Sequence, residues 1–107
     1  MADAVKVGRL MTFTAKPGLG DQLAAAMLQV ADGLREAPGC ELYVISQDSD
    51  ASDTVRVVEA WADQASADAA LASAAQTSGA VSIEAVLGML AQPPERVDLN
   101  TLGGVGL

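Results

Sequence analysis

The sequence predicts one α+β domain in which a four-stranded antiparallel sheet carries its helices on one face. Three observations lead there. β-Branched residues gather into four short runs, helix-period apolar stripes separate the first run from the second and the third from the fourth, and turn-forming residues punctuate them. The order β-α-β-β-α-β is the split βαβ arrangement of ferredoxin-like domains.

The first strand is read over 5–15, where Val5, Val7, Met11 and Phe13 alternate around Arg9 before Pro17-Gly18. From Asp21 to Glu36, Leu23, Met27, Val30 and Leu34 form an amphipathic stripe, with Asp21 as the expected N-cap and Pro38-Gly39 as the stop. Cys40–Gln47 and Thr54–Trp61 read as the second and third strands, joined by a hairpin loop of about six residues drawn from the acidic, serine-rich "DSDASD". A pair of helices follows over 64–75, which is nearly all alanine around Leu71, and over 80–91, with Thr77-Ser78-Gly79 between them. Pro93-Pro94 closes the helical region and Arg96–Thr101 reads as the last strand. Residues 102–107 form a flexible or partner-docking tail.

At 107 residues the chain has room for one core, so 1–107 is one domain. Apolar residues make up 50%, yet 21 residues are alanine and only three are aromatic, so the core is thin and gains from association. In the third strand Val55, Val57, Glu59 and Trp61 face one way and Arg56, Val58 and Ala60 the other, and neither set is the polar face of a half-solvated sheet. A homodimer packed sheet to sheet covers both.

Charge excludes whole classes of partner. A net charge of −8, with Lys6, Arg9, Lys16, Arg35, Arg56 and Arg96 scattered, is wrong for nucleic acid or a membrane surface. No apolar run reaches spanning length and the first residues lack a basic-then-apolar leader, so a cytoplasmic location is expected. With no histidine and only Cys40, the Ser-His-Asp triad, the Cys-His pair and the common zinc sites are missing, and neither a metal nor another cofactor is expected. Carboxylates, guanidinium groups, one phenol and one indole remain for chemistry.

Three local motifs then carry a resemblance. "KPG" follows the first strand, "EAPGCELY" opens the second, and "EAW" ends the third before a short helix. Together, in this order over about 5–101, they resemble the antibiotic biosynthesis monooxygenase family of dimeric α+β barrels. The resemblance implies a homodimer with a pocket in each subunit between sheet and helices, and an activity similar to that of members which oxidise anthrones or quinols to quinones without a cofactor. Many members carry "H-L-x-S-x-H" after the tryptophan, where this chain reads Ala70-Leu71-Ala72-Ser73-Ala74-Ala75. The haem-degrading branch needs a histidine on that helix and an asparagine on the first strand, and this chain has neither. The polyketide-oxidising members place an asparagine where Val57 stands. Trp61 alone matches.

Oxygenation without metal or flavin requires an electron-rich anion held away from water. Glu59 is expected on the sheet face of Trp61, as a base in an apolar cavity or as the ion-pair partner of Arg9 or Arg56. Arg9 is expected to hold a phenolate or to pair across the sheet. Tyr43 is expected to donate to a quinone oxygen or to lie buried with its hydroxyl at a rim. Trp61, Val57, Phe13, Met11, Leu71 and Ala75 are expected to bind a small aromatic or hydrophobic molecule, with Phe13 and Met11 also serving the core. Two other functions fit the same cavity. One is non-catalytic binding of a hydrophobic ligand, and the other is a non-oxidative polyketide cyclase or isomerase.

Overall fold

The computed structural model of the chain describes residues 6–76 and 83–107, and for 71–76 and 83 the backbone alone. Strands β1 (Lys6–Thr14), β2 (Cys40–Asp48), β3 (Ala51–Trp61) and β4 (Glu95–Thr101) form one antiparallel sheet in the order β2-β3-β1-β4. Helices α1 (Gly20–Gly33), α2 (Gln64–Gln76) and α3 (Ile83–Gly88) complete the chain. The predicted α+β architecture with a four-stranded antiparallel sheet is the one observed.

The alternation of β3 decides where the core lies. Val55, Val57, Glu59 and Trp61 are buried, whereas Arg56 and Val58 are exposed. Opposite them on β1 stand Phe13, Met11, Arg9 and Val7, each registered with its β3 partner, so the two central strands present one continuous inner face. Leu23, Ala26 and Met27 of α1 pack on that face together with Val86 and Leu90 from the α3 region. Trp61, Ala67 and Ala70 make a second cluster under α2.

The other face is open. Val44, Val58, Val97 and Leu99 from β2, β3 and β4 are each at least 40% exposed there. Soluble sheets with one solvated face place polar residues in such positions.

Boundaries differ from the sequence reading at three places, each with a physical cause. The hairpin loop is two residues, Ser49 and Asp50, because the acidic residues on either side of it are engaged. Asp48 takes the guanidinium of Arg56 in two hydrogen bonds, of 2.7 and 3.0 Å. Asp53 accepts from the backbone N–H groups of Gly18 and Gly20 at 3.2 and 2.9 Å, so the first turn of α1 is capped from the hairpin. Asp21, the expected cap, lies inside the helix and takes a hydrogen bond from Gln47 instead.

The third difference concerns the helix ends. α1 stops near Leu34 rather than at Glu36, because the N–H groups of Leu34 and Arg35 bond three residues back, to Ala31 and Asp32, and tighten the last turn. α3 ends at Gly88 because the backbone then pairs with the end of β1. Lys16 donates to Met89 and Ala91 donates to Thr14, both at 2.8 Å, around an Ala15–Leu90 bridge. Residues 77–82, which cover the expected helix break and the start of the helix expected over 80–91, lie outside the described residues.

Candidate functional site

A cavity of about 320 Å3 lies between the inner face of the sheet and the helices. This is near the lower end of the range typical for small-molecule sites. Its floor is contributed by all four strands, with Arg9, Met11 and Phe13 from β1, Tyr43 from β2, Glu59 and Trp61 from β3, and Arg96 from β4. Val30 of α1, Leu34 just after it, and Val86 and Leu87 of α3 line it as well. Ala67 and Ala70 of α2 also line it, and their small side chains leave room beside the Trp61 indole.

The polar groups fall in one row because the registers align them. Tyr43 is paired with Glu59 and Glu59 with Arg9, so a phenol, a carboxylate and a guanidinium sit side by side on β2, β3 and β1. Neighbouring strands are about 4.8 Å apart, which spreads the three backbone positions over roughly 10 Å. Trp61, two residues along β3 from Glu59, donates its indole N–H to Glu59 Oε1 at 2.9 Å.

Arg9 and Glu59 are both buried. Arg9 Nη1 stands 4.0 Å from Glu59 Oε1, and Arg9 Nη2 stands 3.8 Å from the exposed Asp68 on α2. Both separations exceed hydrogen-bond length. Arg9 Nε is buried and has no hydrogen-bond partner among the described residues. The guanidinium is therefore neutralised in charge but left with unused donors.

Burial, and after it the charge of Glu59, pushes the Tyr43 phenol well above its ordinary value of 10. Across the neutral range Tyr43 is a hydrogen-bond donor. The same two causes raise the Cys40 thiol, so no thiolate is available at neutral pH.

Most of the expected site residues meet at this cavity. Glu59, Tyr43, Arg9, Trp61, Phe13 and Met11 all line it. Val57 does not. It is completely buried in the main core cluster and acts as packing beside the site. Leu71 and Ala75 lie outside the residues whose side chains are described. Arg56, a possible partner for Glu59, points to the opposite face, where it holds Asp48 and donates to Thr12 Oγ1 at 3.3 Å. Arg96 and Asp68 were missed. Arg96 carries a signal, since its alternation with Asp98 after Pro93-Pro94 marks it as one face of a strand. Asp68 sits among alanines and carries none.

A family model described as antibiotic biosynthesis monooxygenase matches residues 7–80 of the chain. The chain belongs to the antibiotic biosynthesis monooxygenase family. Among solved structures, a protein of Chloroflexus aurantiacus J-10-fl that carries the family's name is 25% identical, with a TM-score of 0.72 over 92% of this chain and 95% of its own. A Pseudomonas aeruginosa protein is also 25% identical, with a TM-score of 0.69 over 96% of this chain and 100% of its own. A Nitrosomonas europaea protein bearing the same family name reaches a TM-score of 0.78 at 17% identity, over 95% of each chain, a likeness of fold. No curated protein matches the sequence. Among the described residues of this family member, no helix is long and apolar enough to cross a membrane.

Proposed function

We propose that the protein is a cofactor-independent monooxygenase that oxidises anthrone- or quinol-type aromatics to quinones. The observation that supports this reading is the row Tyr43–Glu59–Arg9 on the floor of an apolar cavity walled by Trp61. Two donors flank one carboxylate, and apolar side chains keep water away.

In the proposed reaction Glu59 removes a proton from the substrate's acidic carbon or phenol, and Arg9 and Tyr43 hold the resulting anion by its oxygen. The anion gives an electron to dioxygen, the two radicals combine at carbon, and the peroxide loses water. For an anthrone the methylene carbon is oxidised by four electrons to a carbonyl. One oxygen atom enters the product, the other leaves as water, and the proton held by Glu59 returns in that water. The substrate is the only reductant. The active form is a homodimer in which the partner covers Val44, Val58, Val97 and Leu99 on the open sheet face.

Oxygen uptake by the metal-stripped protein with a panel of anthrones and hydroquinones tests the reading, and uptake above a heat-denatured control with quinone formation is expected. A second reading, carriage of the same ligands without turnover, is favoured by Glu59 Oε1 already holding the Trp61 indole. Tight binding with unchanged ligand after aerobic incubation selects it. Product formed equally without oxygen selects a cyclase or isomerase.

A further inference from the structure

Among the described residues Arg9 has negative charge nearby but no hydrogen-bond acceptor. Its neighbours Glu59 and Asp68 supply two carboxylates at 4.0 and 3.8 Å, yet neither contact is a hydrogen bond and Nε has no partner among the described residues. The second guanidinium on the cavity, Arg96, is already held by Asp98 at 2.7 Å. Counted among the described residues, the two guanidinium groups that line the cavity are paired with three carboxylates, Glu59 in the lining and the mostly exposed Asp68 and Asp98 outside it, a formal net of −1. A ligand bringing a further negative charge finds both guanidinium charges already offset and meets the carboxylates of Glu59 and Asp68 beside Arg9. A ligand bringing a neutral oxygen supplies what a buried guanidinium lacks, because burying unpaired donors costs free energy that an acceptor restores.

We infer that the site selects uncharged aromatic ketones, quinones or phenols, that Arg9 binds them by a neutral oxygen, and that Asp68 is the residue that turns away the same skeleton bearing a carboxylate. This rests on reading the cavity as a ligand site. Asp68 acts from the rim. It is mostly exposed and is held by Gln64 Nε2 at 2.9 Å, so its side chain stands beside Arg9 Nη2 without entering the apolar part of the cavity. Tyr43, the other donor in the row, adds a hydrogen bond without adding charge.

The test uses two probes that are already quinones, a dihydroxyanthraquinone and the same quinone carrying one ring carboxylic acid. Titrations are run at mildly acidic pH, where the carboxylate is ionised and the phenols are not. Trp61 is the only tryptophan and lines the cavity, so quenching of its fluorescence reports occupancy. The neutral probe should bind at least about tenfold more tightly than the acid, the ratio expected from one unfavourable charge contact. Asp68→Asn should narrow that ratio to about threefold by strengthening the acid alone, as an exposed charge of this kind allows. Arg9→Lys keeps the charge and removes the planar fork of donors, and should weaken the neutral probe. Equal or tighter binding of the acid overturns the inference, as does an unchanged ratio in Asp68→Asn or the absence of quenching by either probe. Because these titrations read binding of quinones and not turnover, a missing oxygen uptake with the preference intact removes the monooxygenase reading and leaves this one standing.

Discussion

The Trp61 indole N–H donates to Glu59 Oε1 at 2.9 Å from two residues along the same strand. One side chain thus orients the other before any ligand arrives. Glu59→Gln keeps an acceptor for the indole while removing the base, so the fold should persist and oxygen uptake should fall by about a hundredfold to ten-thousandfold. Trp61→Phe removes the donor together with part of a buried ring and should cost about 1–3 kcal/mol in chemical denaturation, because the carboxylate loses its partner and a small cavity is left. Full activity in Glu59→Gln removes the carboxylate from the mechanism.

Tyr43 predicts the alkaline limb of stability. Its phenol is raised in the folded protein from an ordinary value of 10, chiefly by burial. A group raised by folding contributes stability fully present below its unfolded value, so this contribution should hold up to about pH 10 and be lost as pH rises further. Absorbance of tyrosinate should therefore appear together with unfolding. Tyr43→Phe should flatten the loss of stability above pH 10, and tyrosinate appearing in the folded protein near pH 10 contradicts the burial argument.

The acid limb has a different origin. The backbone N–H of Ser66 donates to Asp63 Oδ1 at 2.7 Å at the start of α2, and this hydrogen bond holds the Asp63 carboxyl below its ordinary value of 3.8. Stability from a lowered carboxyl is present above the unfolded value and lost as pH falls through the folded one. Asp63→Ala should lower the midpoint of thermal unfolding at neutral pH and have progressively less effect below about pH 4. An equal effect at every pH shows that the cap carries no charge dependence.

Gly20 predicts a local steric limit. A Cβ there would collide with the backbone carbonyl of Ser52 and with Asp53, so Gly20→Ala should cost about 1–3 kcal/mol although alanine is the better helix former. Asp53→Ala, which removes the acceptor for Gly18 and Gly20, should cost about 1 kcal/mol. Chemical denaturation with circular dichroism measures both, and a stabilising Gly20→Ala shows that the hairpin yields.

The open sheet face predicts the assembly. Val58 lies on β3 near the middle of the sheet and is 40% exposed in the single chain. Sedimentation should find the wild-type protein as a dimer and Val58→Glu as a folded monomer. A monomeric wild-type protein leaves the exposed valines and leucines without a partner and sinks the homodimer.

The strands and the inner face of β3 were legible because alternation is a local property, and local patterns survive folding. Glu59 and Trp61 could be placed on one face for the same reason, whereas bringing Arg9 and Tyr43 beside them takes the register of neighbouring strands, which is not local. The hairpin was misread because Asp48 and Asp53 look like turn residues. Their partners Arg56 and the amides of Gly18 and Gly20 lie 8 to 35 residues away. Asp68 stayed hidden because only the docking of α2 brings it to Arg9, and Val57 looked like pocket wall because alternation assigns a face without saying how deep a side chain lies.

The hold that Asp53 has on the first turn of α1 reaches across 33 residues of sequence to Gly20. Closing a loop of that length costs chain entropy before any reward arrives. The amides at the start of α1 therefore gain their acceptor only after the second and third strands have paired and met the helix. On this account α1 reaches full helicity late in folding, as a consequence of sheet assembly and not as its seed. Exchange of the Gly20 amide with solvent should then track opening of the hairpin rather than fraying of the helix.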